Sequence, residues 1–101
     1  MKDMHRTYLN FNDVCLYVDV EDHIVIEIIE HGIVEPTGFC CDDWLFSHNM
    51  VLVTKKAVRL HRDLEMDWPG IALAIELLDE IKELRERNSY LEQRLSRFVD
   101  S

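Results

Sequence analysis

A heptad repeat over residues 74–98 restricts the fold of this chain more than any other feature of its sequence. Apolar side chains recur at two positions of the repeat, and most of the residues between them are charged. The first position holds Ala74, Ile81, Asn88 and Leu95, and the second holds Leu77, Leu84, Leu91 and Phe98. This spacing places both positions on one narrow stripe of an α-helix, as in a coiled coil. The repeat therefore predicts a long helix whose stripe meets a partner helix.

The sequence DWPG, residues 67–70, indicates where this helix begins. Asp67 can accept a hydrogen bond as the N-cap, and Pro69 suits a first turn because the N–H group it lacks would have no partner there. A helix from Trp68 to Phe98 would be about 45 Å long, which exceeds the width of a small domain. We therefore expect residues 67–101 to form a dimerisation helix and residues 1–66 to form a separate small domain.

The side chains predicted to form the dimer seam are Leu77, Ile81, Leu84, Asn88, Leu91, Leu95 and Phe98. An Asn in such a seam often fixes the register of the two helices at some cost in stability. In a parallel pair, Glu80 would face Arg85 of the other copy, and Arg87 would face Glu92. Because exposed ion pairs contribute only about 0–1 kcal/mol each, these charges favour a parallel pair only weakly. A homodimer is predicted, and the direction of pairing stays open.

The N-terminal part of the chain predicts a short strand followed by a first helix. Thr7–Asn10 is compatible with a strand, and Asn10 or Asn12 can cap a helix that reaches about Tyr17. Residues 19–22, DVED, form the turn that leads into a second helix. This order of elements predicts a helix-turn-helix.

The second helix is expected from about Asp22 to His31, with Gly32 as its end. At about 100° per residue, four aliphatic side chains share one arc and should face the core. These are Ile24, Val25, Ile28 and Ile29. The opposite arc combines acidic side chains with one isoleucine: Asp22, His23, Ile26, Glu27 and Glu30. This face is either a solvated surface with an isolated isoleucine or a protein-binding site with an apolar centre and an acidic rim.

Two short strands, Ile33–Val34 and Trp44–Phe46, are expected to form a wing after the second helix. Ser47 can then cap a third helix that reaches about Leu64. The third helix carries the one basic cluster of the chain, Lys55, Lys56, Arg59 and Arg62. The predicted fold is thus mainly α, a winged helix-turn-helix with a small β-wing, followed by a long C-terminal coiled-coil helix.

The distribution of charge is more informative than the net charge of -9. No Lys or Arg occurs between Thr7 and Thr54, whereas that span holds nine acids. They are Asp13, Asp19, Glu21, Asp22, Glu27, Glu30, Glu35, Asp42 and Asp43. Proteins bind nucleic acids through cations that replace phosphate counterions, so this span should repel DNA. The remaining interpretations are an acidic surface kept for solubility and a binding site for a basic protein.

Sequence motifs of catalysis are missing. The chain has no glycine-rich phosphate loop, no nucleophile elbow and no HExxH, so we expect neither an enzyme nor a cofactor. Cys40 and Cys41 are adjacent and cannot easily bind one tetrahedral metal ion together, so no metal site is expected. A thiol sensor at this pair is a further alternative. No apolar run of about 18 residues predicts a membrane span, and the N-terminus lacks a secretion signal, so we expect a cytoplasmic protein.

Three stretches of the chain carry a family resemblance: GIVEP (32–36), AVRLHRDLEMDWPGIALAIELLDEI (57–81) and LEQRLSRFV (91–99). They closely resemble the CbpM family of chaperone modulatory proteins, in the MerR superfamily of winged-helix regulators. The resemblance implies binding to the J-domain of CbpA, a DnaJ-like co-chaperone, and inhibition of its activity toward DnaK and of its DNA binding. It also implies antiparallel long helices. The connection TGFCCDD (37–43) differs from the family wing, so no site is carried into it.

An acidic second helix suits this implied function, because a J-domain meets DnaK through a basic helix. We expect the contacts at Asp22, Ile26, Glu27 and Glu30, with an apolar centre that holds the complex and acids that speed association. A rival acidic surface is predicted on the long helix at Asp79, Glu83 and Glu86. The alternative function is a MerR-type DNA-binding transcriptional regulator. It would require a basic recognition helix and wing, which this sequence lacks.

Overall fold

The computed structural model describes residues 8–100 as a mainly helical chain with a small antiparallel sheet. Its strands and helices are β1 (Leu9–Asn10), α1 (Phe11–Val18), α2 (Asp22–Glu30), β2 (Leu45–Phe46), α3 (His48–Leu64) and α4 (Trp68–Asp100). A short 3-10 turn at Cys41–Asp43 precedes β2. The predicted fold class, mainly α with a small sheet and a long C-terminal helix, is confirmed.

Side chains at three helix starts satisfy backbone N–H groups that have no partner within the helix. The Asn10 side-chain oxygen accepts from Asp13 N at 2.8 Å, at the start of α1. The Ser47 hydroxyl accepts from Met50 N at 3.3 Å, at the start of α3. The N–H group of Gly70 donates to the Asp67 carboxylate at 2.9 Å, in the first turn of α4. These contacts confirm caps predicted from the sequence.

Helix α2 packs against the core through the arc that its sequence predicts. Val25 and Ile28 are fully buried, and Ile24 and Ile29 are partly buried against the same core. The helix ends at Glu30, and Gly32 then takes a φ of 74°. A positive φ is unfavourable for residues with a Cβ atom, which explains a glycine two residues after the helix ends.

The predicted pairing of Ile33–Val34 with Trp44–Phe46 is wrong. Strand β2 instead pairs with β1, with Leu9 opposite Phe46, and only Thr37 bridges Leu45 on its other side. Two contacts explain why no strand forms directly after α2. Ile33 N donates to the Ile28 carbonyl at 3.1 Å and so completes the helix end, and Val34 turns into the core with 4% of its surface exposed. The predicted strand at Thr7–Asn10 is confirmed at Leu9–Asn10, and Thr7 lies outside the described residues.

An aromatic group fixes the sheet against α1. The ring centroids of Phe11 and Trp44 are 5.8 Å apart, and those of Trp44 and Phe46 are 6.5 Å apart, both in edge-to-face geometry. Such pairs add stability beyond the area they bury. Phe46 is fully buried, so β2 is anchored at the centre of the core.

We expect Phe46→Ala to lower the free energy of unfolding by about 3–5 kcal/mol, because it leaves a cavity in a core that cannot fully collapse. Urea unfolding followed by circular dichroism measures this change. Leu64→Ala is the matched control, since Leu64 is 64% exposed. That control should stay within about 0.5 kcal/mol of the wild type. Equal losses in the two variants would contradict this assignment of the core.

Candidate functional site

The four residues predicted as the contact site on α2 lie in two different environments. Asp22 and Glu30 are exposed, whereas Ile26 and Glu27 are half-buried. Ile26 packs against the core, so it does not form the exposed apolar centre expected from the helical arc. The outer face of α2 therefore presents charge at its two ends and little apolar surface between them.

Glu27 has a partner within the chain. Its Oε1 atom accepts a hydrogen bond of 2.6 Å from Nε1 of Trp68, at the start of α4. The His61 ring, near the end of α3, stacks on Trp68 with ring centroids 4.2 Å apart and an angle of 15°. Nδ1 of His61 donates to the Met66 carbonyl at 3.0 Å, because a carbonyl oxygen only accepts. The Glu27–Trp68–His61 cluster thus joins α2, α3 and α4.

The N-terminal end of α2 borders a buried thiol. Burial, a hydrogen bond to the Asp22 carboxylate and the charges of Asp22 and Cys41 together raise the pKa of Cys15 from 9.0 to about 11, with burial the largest cause. The Asp22 carboxylate therefore contacts the thiol, and the charge of Cys41 also acts on it. Since the thiolate is the reactive form, Cys15 should react slowly in the folded protein. Cys40 and Cys41 are both exposed.

The segment that links α2 to β2 ends in a compact loop at residues 37–43, here called the acidic loop. Thr37 and Leu45 close it with two backbone hydrogen bonds of 3.1 and 2.9 Å. Phe39 projects from it with all of its surface exposed. Asp42 and Asp43, in the same loop, are also exposed. Phe39 has no predicted role, although a large apolar side chain in a turn between Gly38 and the acids Asp42 and Asp43 was a usable signal.

Most of α4 stands away from the core. Its first turns are buried through Trp68, Ile71 and Ile75, and every described residue from Glu76 to Val99 is exposed. The predicted seam residues have exposed fractions of 48% for Leu77, 43% for Ile81, 60% for Leu84, 61% for Leu91, 62% for Leu95 and 83% for Phe98. Asn88 is exposed among them, and so are Asp79, Glu83 and Glu86 of the rival acidic surface. A single copy of the chain therefore displays the whole stripe.

The basic cluster of α3 is partly engaged with neighbouring elements. The ammonium nitrogen of Lys55 lies over the Tyr17 ring of α1, 5.3 Å from its centroid. The Arg62 guanidinium donates to the Asp19 carbonyl at 3.5 Å, where α1 ends. Lys55 and Arg62 thus hold α1 against α3.

Among residues 8–100, no group of His, Cys, Asp and Glu could hold a metal ion.

Comparison with known proteins places this arrangement in a family. Residues 9–93 match the family of MerR HTH regulatory proteins. Chaperone modulatory protein CbpM of Pseudomonas putida strain KT2440 is 54% identical over 91 residues, which is 90% of each chain. The chain belongs to the CbpM family. CbpM of Pseudomonas entomophila is 49% identical over 91 residues, again 90% of each chain. CbpM of Escherichia coli O1:K1 is 41% identical over 87 residues, or 86% of each chain.

The CbpM family resemblance carried by the three sequence stretches is thereby confirmed. In this CbpM-family chain α1 and α2 form the helix-turn-helix, and α2 has the place of the helix that reads DNA in such motifs. No Lys or Arg lies on α2, so its charge does not suit a phosphate backbone. Within residues 8–100, no helix is both long and apolar enough to span a membrane.

The raised pKa of Cys15 predicts a loss of stability at high pH. Below pH 9 the thiol keeps its proton in both the folded and the unfolded chain. Between pH 9 and pH 11 the unfolded chain loses the proton more readily, so the free energy of unfolding should fall as pH rises. The expected loss by pH 11 is about 2 kcal/mol, since one pKa unit corresponds to about 1.4 kcal/mol and the folded thiol is then only half ionised.

Urea unfolding at several pH values between 8 and 11 checks this expectation. Cys15→Ala should remove the part of the pH dependence that the thiol causes, whereas Cys41→Ala should keep most of it. If Cys15→Ala and the wild type lost stability in parallel, the thiol would not be the titrating group.

Proposed function

We propose that this chain is a chaperone modulator that binds the J-domain of a CbpA-type DnaJ-like co-chaperone. It inhibits the activity of that co-chaperone toward DnaK, and also its DNA binding, because its acidic surface competes for the basic surface of the J-domain. Membership of the CbpM family supports the general role. The observation that carries the proposal is the span from Tyr8 to Val53, which has no Lys or Arg and forms β1, α1, α2, the acidic loop, β2 and the start of α3.

The J-domain contacts are proposed on the outer face of α2. Asp22 and Glu30 are exposed at its two ends and can meet cations directly. Ile26 and Glu27 are half-buried between them, and Glu27 is already hydrogen-bonded to Trp68. Long-range charge attraction chiefly raises the association rate, while apolar contacts slow dissociation. The acids of α4 at Asp79 and Glu83 are the rival surface.

Charge reversal distinguishes the two surfaces. We expect Asp22→Lys with Glu30→Lys to weaken binding to an isolated CbpA-type J-domain at least tenfold, because it replaces attraction with repulsion. Glu27 is left unchanged, since its reversal would also break the contact with Trp68. The matched control, Asp79→Lys with Glu83→Lys, makes the same change of charge on α4 and should leave the affinity within threefold.

Titration calorimetry at low and high salt gives the affinity of each variant. The wild type should bind about one J-domain per chain, more weakly as salt rises, since ions screen exposed charges. A larger loss in the α4 variant would move the contact surface to α4. No binding of the folded wild type at either salt concentration would overturn the proposed function.

The match to MerR HTH regulatory proteins favours a DNA-binding regulator as the second candidate. Two observations disfavour DNA binding. Helix α2 has acidic residues and no Lys or Arg, and Lys55 and Arg62 of α3 already contact residues at the end of α1. Duplex DNA should show no gel shift at physiological ionic strength, and a nanomolar complex with DNA would make the DNA-binding regulator the first candidate.

The proposed role needs neither catalysis nor a cofactor. A thiol sensor at Cys40 and Cys41 is disfavoured if replacing both with Ser leaves J-domain binding intact.

We further propose that residues 67–101 pair two copies of the chain, while residues 1–66 carry the partner surface. The exposed stripe from Leu77 to Leu95 supports this division, since a coiled coil buries such a seam between two helices. Asn88 would lie within the seam and restrict its register.

The expected effect of Leu84→Glu is loss of the dimer, because each copy would place a charge in the seam. Sedimentation equilibrium should report a dimer for the wild type and a monomer for this variant at the same concentration. Leu64→Glu, a change at a 64% exposed position on α3, is the matched control and should remain dimeric. A wild type that stays monomeric at high micromolar concentration would contradict the pairing.

A further inference from the structure

Phe39 is the most exposed large apolar side chain among residues 8–100, with 100% of its surface accessible. Burying a phenylalanine side chain removes a large apolar area from water, which favours binding. Aromatic side chains of this kind often supply a large share of the energy of a protein interface. Phe39 lies in the acidic loop, a segment to which the sequence assigned no site.

The acidic loop holds Phe39 in a defined position before any partner arrives. Gly38, next to Phe39, has a φ of 122°, and a Cβ atom there would lie 2.7 Å from the Asp43 carbonyl oxygen. The N–H group of Asp43 also donates to the Cys40 carbonyl at 2.8 Å, which closes the turn after Phe39. Trp44 anchors the end of the loop between Phe11 and Phe46. A loop ordered in advance loses less conformational entropy when it binds.

The charge around Phe39 selects the class of partner. Asp42 and Asp43 are exposed in the loop, and Glu35 is exposed just before it. Asp22 belongs to the same region of charge, because its carboxylate and Cys41 of the loop both act on the Cys15 thiol. An anionic lipid surface or a nucleic acid would be repelled by this edge. A protein surface with an apolar pocket and a rim of Lys or Arg complements it.

We propose that the acidic loop is the anchor for the partner: Phe39 inserts into an apolar pocket on a basic protein surface, and Asp42 and Asp22 pair with cations at its rim. This inference rests on the proposed function and assigns the J-domain as the occupant. Phe39 supplies the apolar centre that Ile26 does not provide. The contact surface then extends from the N-terminal end of α2 across the acidic loop.

The test uses the full-length chain and an isolated CbpA-type J-domain, with rates and affinity measured by surface plasmon resonance. Phe39→Ala should weaken binding at least tenfold, mainly through faster dissociation, because an anchor acts after the complex has formed. Phe39→Leu keeps an apolar side chain and should stay within about threefold of the wild type. Leu64→Ala, at another exposed apolar position, should leave the affinity unchanged.

Two further variants separate an anchor from a general contribution to folding. Asp42→Lys should mainly slow association and reduce the salt dependence of binding, since it acts through long-range attraction. Gly38→Ala keeps Phe39 but strains the backbone at a positive φ, so it should weaken binding by displacing the anchor. Phe39→Ala should leave the thermal unfolding midpoint unchanged, because the side chain is fully exposed.

The results separate failure of the Phe39 anchor from failure of the proposed J-domain binding. If the wild type binds the J-domain and Phe39→Ala binds equally well, the loop is not the anchor and the proposed function stands. If the folded wild type does not bind, the proposed function and the anchor fail together. Weaker binding by Phe39→Ala together with a lower unfolding midpoint would assign Phe39 a structural role and overturn the inference.

Discussion

The hydrogen bond between Trp68 and Glu27 is the contact on which the arrangement of this chain depends. It joins the first turn of the long helix α4 to the middle of α2, two positions 41 residues apart in the sequence. Trp68 is only 7% exposed, and its ring also stacks on His61 near the end of α3. A buried polar group without a partner would be costly, so the indole N–H and the Glu27 carboxylate stabilise each other. Because Ile71 and Ile75 extend this contact into the core, α4 leaves the domain in a fixed direction.

Local patterns in the sequence predicted the elements well, since each depends on neighbouring residues. Asn10, Ser47 and Asp67 occupy helix starts where a side-chain acceptor is needed, and all three accept the expected hydrogen bond. The apolar period of α2 identified Val25 and Ile28 as core. These predictions required no knowledge of which elements meet.

Pairings between distant elements were predicted less well. Ile33–Val34 has the composition of a strand, but the end of α2 uses the Ile33 N–H and the core takes Val34, so β1 pairs with β2 instead. Glu27 lies on the outer arc of α2, and nothing local indicates that Trp68 covers it. The sequence predicted the acidic charge of the candidate site but not the exposed position of Phe39. That position depends on the backbone hydrogen bonds by which Thr37 and Leu45 close the acidic loop.

The acidic character of the surface formed by α2 and the acidic loop depends on the positions of the Lys and Arg side chains as well as on their number. Lys55 lies over Tyr17, and Arg62 binds the last turn of α1, so two charges of the basic cluster are used to hold helices together. The helix-turn-helix is thereby stabilised from behind while α2 and the acidic loop display carboxylates. A fold associated with DNA reading can thus present a surface suited to a cationic protein, with no change in the order of its elements.

The length of α4 also affects how a pair of chains would meet its target. Thirty-three residues of helix extend for about 50 Å. A parallel pair would hold both acidic loops at one end of the rod, where a single bivalent target could occupy both at a high effective concentration. An antiparallel pair would separate the loops by roughly the length of the rod, so each would capture its own partner independently unless the target spanned that distance. The direction of one coiled coil would therefore determine whether the two binding surfaces act with avidity or as separate sites.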